Sequence, residues 1–216
     1  MLTVVIVLIL VILGVGDQIA KATAENTIAQ KVETSGLSGK PSVSIEGWPF
    51  LTQLAAKDLK VIDISGNNET ASGSKVAFNF TAKATGVHLS SLSSNASATV
   101  DNINGQATLP FSSVAGLLPI SGASLSADPA DGPNAIKASL GIAGSVTGTV
   151  KLSDPSHIDI SLNSASGLAA ALGSTAGQSF TIDIPKLPAG LVVKSVGVSS
   201  QGIVATASAS NTTLTQ

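Results

Sequence analysis

The chain has no cysteine, no arginine, only two histidines and little charge of either sign. Without cysteine it can form no disulfide, thiolate nucleophile, Cys-ligated zinc site or iron–sulfur cluster. All 11 basic residues are Lys and the formal net charge is -2. It therefore lacks the basic surface and the bidentate guanidinium forks with which nucleic-acid binders hold phosphate and read guanine, and no nucleic-acid partner is expected. Charged residues make up 11% of the chain, well under the roughly 25% of an ordinary soluble protein. Hydroxyls and amides must supply the wetted surface instead, and 31 Ser and 18 Thr are there to do so.

Sites for chemistry are equally scarce. His88 and His157 fall on different predicted strands, so no paired-imidazole metal motif exists, and no metal or cofactor is expected. His157 and Asp159 share the polar parity of their strand, pointing outward, and no G-x-S-x-G elbow accompanies them. Gly36-Leu37-Ser38-Gly39-Lys40 has two residues between its glycines and Pro41 after the Lys, which is not a phosphate loop. Ser72-Gly73-Ser74-Lys75 matches S-x-x-K in spelling only. Asp128 and Asp131 sit in a Pro/Gly-rich stretch that reads as a solvated turn. No catalytic residue is assigned, and the chain is expected not to be an enzyme.

What is present begins with a charge-free run from Met1 to Gly16, nearly all aliphatic from Leu2 to Leu13. It lies between a signal-peptide core and a full membrane span in length. The expectation is a transmembrane anchor or signal segment over 1–16 that contacts the plasma membrane through residues 2–15, with a single domain over 17–216 on the extracytoplasmic, periplasmic side. An uncleaved anchor is the favoured form, and the missing basic leader suggests a start further upstream. Asp17 then reads as the N-cap of an amphipathic helix carrying Ala20, Ala24, Ile28 and Val32 at i+4 spacing and closed by Gly36.

Beyond Pro41 the period falls to two. Val76, Phe78, Phe80, Ala82 and Ala84 alternate with polar neighbours, and the rhythm returns at 96–100, 146–152, 158–162, 180–184 and 205–209. Clean alternation predicts antiparallel sheet with one wet face. Short helices are expected over Phe111, Val114 and Leu118, and over Leu168 to Leu172 with Ser166 as its cap and Gly173 closing it. Gly66-Asn67-Asn68 and Asp128 to Pro133 read as turns between strands. The class is α+β, weighted to β. Several inward positions are small (Ala82, Ala84, Ala96, Ala98, Gly148, Ala205, Ala207), too small to fill a sheet interior to native density. Either a helix lies close on them or acyl chains do, at about 0.8 kcal/mol per buried CH₂.

One segment stands apart: Gly47-Trp48-Pro49-Phe50-Leu51-Thr52-Gln53, with the only Trp of the chain beside Pro and Phe. Its bulky aromatics need a shared pocket, either as a plug beneath the sheet or as a rim where lipid enters, since Trp also favours membrane interfaces. The string resembles the G-x-P-F-L-T-Q hallmark of the LmeA-type phospholipid-binding proteins of actinobacterial cell envelopes. The Phe180-to-Leu191 run, with its Ile184-Pro185-Lys186-Leu187-Pro188 core, and the Val196-to-Ile203 strand pair are similar to that family as well. The resemblance covers roughly residues 17 to 213. One departure is that Gln18 and Lys21 stand where such proteins often carry Arg, so any clamp on phosphate must rest on Lys.

The resemblance implies a fold related to the tubular lipid-binding domains of bactericidal permeability-increasing proteins, a strongly curved antiparallel sheet wrapped around a helix. It implies non-enzymatic phospholipid binding that supports envelope lipid or lipoglycan maintenance. The residues expected to meet lipid are Trp48, Phe50 and Leu51 near a mouth, and Phe78, Phe80, Val150, Ile160, Phe180, Ile182 and Leu191 along acyl chains. The protein is expected to be monomeric. The competing expectation is a Ser/Thr-coated structural or adhesion-type β-domain at the cell surface, with a dry, filled interior.

Overall fold

The computed structural model describes residues 2–34, 37–71, 76–93, 97–117, 122–139, 141, 144–163, 179–185 and 187–214, with side chains from residue 14 onward. The expected helix over Leu168 to Leu172 with its cap Ser166, the terminator Gly36, and Ala96 and Leu118 lie outside these residues, as do the apolar side chains of Leu2 to Leu13. Contacts divide the chain into two compact units: 1–66, 81–104 and 209–216 in the first, 67–80 and 105–208 in the second. One sheet has the strand order β1 (Ser42–Glu46), β2 (Asp58–Thr70), β3 (Ala77–Leu89), β4 (Ala98–Pro110), β11 (Gly202–Leu214), β10 (Val192–Val198), and the other β5 (Ser124–Ala127), β6 (Ala135–Ser139), β7 (Ser145–Asp154), β8 (His157–Leu162), β9 (Ser179–Asp183). The β-weighted α+β class expected from the two-residue period is what the structure has, with both sheets left unclosed.

The first unit opens with α1, Leu2–Thr34, a single helix of 33 residues. Asp17 does not start it, contrary to the N-cap expectation, but sits inside it. No proline interrupts the run, and Gly14 and Gly16 cost the helix only about 1 kcal/mol each. Thr23, Asn26 and Thr27 turn their side chains back to carbonyls four residues earlier, so these polar groups stay within the helix rather than breaking it. Among the described residues no helix is long and apolar enough to cross a membrane.

α1 packs along β1, Ser42–Glu46, the edge strand that pairs antiparallel with β2, Asp58–Thr70, with Ile45 opposite Ile62. An edge strand leaves N–H groups unpaired. Here the Glu25 carboxylate accepts the Ile45 N–H at 2.8 Å, so the helix closes the edge with a side chain. Ala29, Ile45, Phe50, Leu59, Ile62, Val87, Val100 and Ile103 are the buried apolar side chains of this unit.

β2 runs unbroken through Gly66-Asn67-Asn68, which the sequence presents as a turn. Asn68 takes a left-handed φ of 56° inside the strand, and its N–H is held by the Asn79 side-chain oxygen of β3, Ala77–Leu89. The Asn pair thus accommodates an irregularity within a strand rather than ending it. Gly86 marks a similar break in β3: with φ at 62°, a side chain there would run into the Asp101 carboxylate of β4, Ala98–Pro110. The even-numbered apolar parity of Phe78 to Ala84 gives way beyond it to a buried Val87.

In the second unit, β5 (Ser124–Ala127), β6 (Ala135–Ser139), β7 (Ser145–Asp154), β8 (His157–Leu162) and β9 (Ser179–Asp183) are antiparallel throughout. The expected turn at Asp128 to Pro133 joins β5 to β6. In β8, Ile158, Ile160 and Leu162 are buried while His157, Asp159 and Ser161 between them are not, the wet-face alternation the sequence predicts. α3, Phe111–Ala115, buries Val114 in the same core. β10, Val192–Val198, and β11, Gly202–Leu214, make the terminal hairpin, with Val198 opposite Ile203.

Gly148 is not a void. A Cβ there would lie 2.8 Å from the Ser161 carbonyl and 2.9 Å from a Leu162 methyl, so the glycine lets strands and side chains close in. The small residues differ among themselves: Ala205 is buried, whereas Ala82, Ala84, Ala98 and Ala207 are half-exposed.

Candidate functional site

The Gly47-to-Gln53 string resolves into distinct tasks. Gly47 has φ at 99°, and a Cβ on it would stand 2.7 Å from the Gln53 amide nitrogen, so both conformation and space require glycine. Residues from Phe50 onward form α2, Phe50–Ala56, where the sequence shows only a Pro-broken stretch. Its N-cap position is Pro49, which follows a cis Trp48–Pro49 bond and has no side chain able to receive a hydrogen bond. Asp17 of α1 supplies the missing acceptor: its carboxylate takes the Phe50 N–H at 3.0 Å and the Leu51 N–H at 2.7 Å. Asp17 is 3% exposed, so the charge is spent internally on the first turn of another helix.

At the far end of the string, Gln53 is buried and bridges two strands. Its amide nitrogen donates to the Glu46 carbonyl at 3.2 Å and its oxygen accepts the Lys60 N–H at 3.1 Å. Phe50 is 1% exposed and belongs to the core of the first unit. The aromatics of the string therefore do not share one pocket. Phe50 is the plug, while Trp48 at 73% and Leu51 at 40% exposure face outward.

The remaining candidate residues lie in the second unit. Phe78 and Phe80 are both half-exposed, with ring centroids 6.0 Å apart at an interplanar angle of 45°, a favourable tilted pairing. Val150, Ile160 and Ile182 sit in the dense core: Val150 is opposite Ile160, Ile160 opposite Phe180, and Ile158 opposite Ile182. Phe180 is half-buried against that core, and Leu191 is half-exposed just after the Pro188–Gly190 turn. Side chains of the chain itself surround Val150, Ile160 and Ile182. Of the ten candidates, Trp48 and Leu51 in one unit are exposed, while Phe78, Phe80, Phe180 and Leu191 in the other are partly buried.

The imidazole–carboxylate pairs and the Lys83 ion pairs sit on exposed surfaces. In the first unit Lys83 pairs with Asp63 at 3.3 Å and Glu46 at 3.8 Å, and His88 stands between Asp58 and Asp101 at 3.4 and 3.5 Å. In the second, the His157 Nδ1 lies 2.7 Å from Asp154 and its Nε2 3.6 Å from Asp183. The Asp154 hydrogen bond raises the His157 pKa above its ordinary value. Asp154 is held below the usual carboxylate range by the Ser156 backbone N–H and then by His157. Asp159 is lowered as well, by hydroxyls of Ser153 and Thr181. His157 thus has Asp154 rather than Asp159 as its nearest carboxylate, on a wet hairpin where neither group is shielded from water. Among the described residues no cluster of three or more His, Cys, Asp or Glu is placed to hold a metal ion.

A family model described as LmeA-like phospholipid-binding matches residues 15–208. The chain belongs to this family. No curated protein and no solved structure matches it. The LmeA-like family is a binding family rather than an enzyme family, and its span takes in all ten candidate lipid-contact residues, from Trp48 to Leu191. It also takes in Asp17, a positioning residue that local sequence does not reveal. Its one mark in the sequence is that it is the first charge after sixteen uncharged residues.

Proposed function

We propose that this protein binds phospholipid through its acyl chains, without catalysis, on the extracytoplasmic side of the plasma membrane, and so supports the upkeep of envelope lipid or lipoglycan. The observation that carries the reading is the LmeA-like phospholipid-binding match over residues 15–208. The partly buried Phe78–Phe80 pair of the second unit supports it, since its rings offer hydrocarbon an apolar surface that the chain leaves incompletely covered. In this reading the antiparallel sheet curves around the amphipathic helix in the tubular lipid-binding manner, and α1 lying along β1 in the first unit is its support. In this reading the charge-free residues 2–15 make the membrane contact, with the domain outside the cytoplasm. The protein works as a monomer.

The test is lipid recovery. The full chain, extracted in detergent and purified, is expected to carry phospholipid detectable by mass spectrometry. Phe80→Asp places a carboxylate where acyl chains lie and should lower the recovered lipid about tenfold or more with the circular dichroism unchanged. A lipid-free protein that also fails to bind vesicles of several headgroups would overturn the reading. It would favour a Ser/Thr-coated structural module, for which the filled core around Val150 and Ile160 is the supporting feature.

A further inference from the structure

Asp17 ties the Trp48 segment to α1 at a particular height. By the 1.5 Å rise of a helix it lies about 6 Å beyond Leu13, where the aliphatic run ends. The headgroup zone on each side of a bilayer is about 5–8 Å deep. Exposed apolar side chains cluster at this level. Val15 and Ile19, at 55% and 63% exposure, are one turn apart on one flank of α1. Asp17 projects from the opposite flank, where it holds the first turn of α2 and with it Trp48 and Leu51.

Charge is missing from the same surface. Residues 1–20 and 47–56 contain one charged group between them, Asp17, which is buried and saturated by two backbone N–H groups. Charge resumes only at the rim: Lys21, paired with Glu25 at 3.7 Å, then Glu46 and Lys57. An uncharged collar with an exposed Trp, bordered by ions and continuous with an aliphatic helix, matches the interface zone of a bilayer, where Trp is enriched. A protein partner would have no charge pattern here to recognise.

We propose that Val15, Ile19, Trp48 and Leu51 form a second membrane contact, seated at the headgroup level of a lipid bilayer, and that Asp17 is the positioning residue that fixes it. The proposal rests on the membrane contact of residues 2–15 given above. It adds that the domain is docked in one orientation against the membrane rather than carried on a loose tether.

Because Trp48 is the only Trp in the chain, its fluorescence reports on this surface without labelling. The probe is the full chain in phosphatidylcholine–phosphatidylglycerol vesicles, with bromine placed at shallow or deep acyl positions in successive preparations. Shallow bromines are expected to quench Trp48 most strongly and aqueous iodide weakly. Asp17→Ala should lose most of the bromine quenching while the chain still sediments with vesicles. Trp48 quenched by iodide but not by bromine, in protein that does sediment, would overturn the docking and leave the membrane contact of residues 2–15 standing. Failure to sediment would overturn both. Equal quenching by a short-chain brominated phospholipid held below its micelle concentration would move Trp48 to the mouth of a lipid pocket and also overturn the docking. Unchanged quenching in Asp17→Ala would remove the positioning role.

Discussion

At the scale of single residues, the most consequential group is an aspartate that looks like a helix start and acts as a remote cap. Asp17 and Phe50 are 33 positions apart, yet the carboxylate satisfies both N–H groups that Pro49 cannot serve. Removing it leaves two orphan donors at the base of α2, one of them on the buried Phe50. Hydrogen bonds to charged groups are worth about 1.5–3 kcal/mol, and a lost cap about 0.5–2 kcal/mol. Asp17→Ala is therefore expected to destabilise the protein by about 2–3 kcal/mol in denaturant unfolding. Asp17→Asn keeps one acceptor and should recover roughly half of that. Equal stability of all three proteins would show that water replaces the carboxylate. None of this could be read from the residue's neighbours, because Asp after an apolar run is also what an ordinary N-cap looks like. The hallmark string was legible as a unit, but its division of labour was not. That Phe50 turns inward and Trp48 outward goes with the tight bend at Gly47 and the strand bridge of Gln53, which join residues six and seven positions apart around a helix too short to show a period.

At the scale of elements, the sequence was readable wherever period and burial agree. The strands at 145–154, 157–162 and 179–183 alternate in sequence and also in burial, so an antiparallel sheet with one wet face followed directly. β2 was hidden because Gly66-Asn67-Asn68 has turn composition, while the structure uses the tolerance of Asn for left-handed φ to keep the strand going. α2 was hidden because its 7 residues are too few to show a helical period. The wet face of the β7–β8 hairpin carries a prediction of its own. The His157 pKa is raised chiefly by its hydrogen bond to Asp154, so that contribution to stability is complete below the ordinary value of 6.5 and fades as pH rises through the higher folded value. Asp154 is lowered, so its contribution is present above the ordinary 3.8 and fades as pH falls through the lower folded value. The hairpin is then held best between those two limits, and because both groups are exposed the effect is small and weakened by salt. An NMR titration should give His157 a higher pKa than in Asp154→Asn, with the difference shrinking at high salt. Identical titrations in the two proteins would show that the pair is not formed in solution.

At the scale of the whole molecule, composition limits how a phospholipid can be held. With no Arg, 11 Lys and a net charge of -2, the chain has no bidentate clamp for a phosphate and no positive field to draw an anionic headgroup. In the first unit Lys83 is already engaged by two carboxylates, and the apolar residues at the surface are aromatic or aliphatic. On the proposed function, affinity comes mainly from hydrocarbon removed from water, which scales with acyl length and is indifferent to the headgroup. Each methylene that enters the site is worth up to about 0.8 kcal/mol, or roughly fourfold in affinity. Titration of the full chain with monomeric phosphatidylcholines of increasing length should show affinity climbing by up to about that factor per methylene, then levelling once the chains outgrow the surface that covers them. Replacing choline by glycerol, or raising the salt severalfold, should change the constants by less than one methylene does. Affinity that is flat in acyl length but steep in salt would locate the binding energy in the headgroup, on lysines, and would require a different part of the surface to be the lipid site.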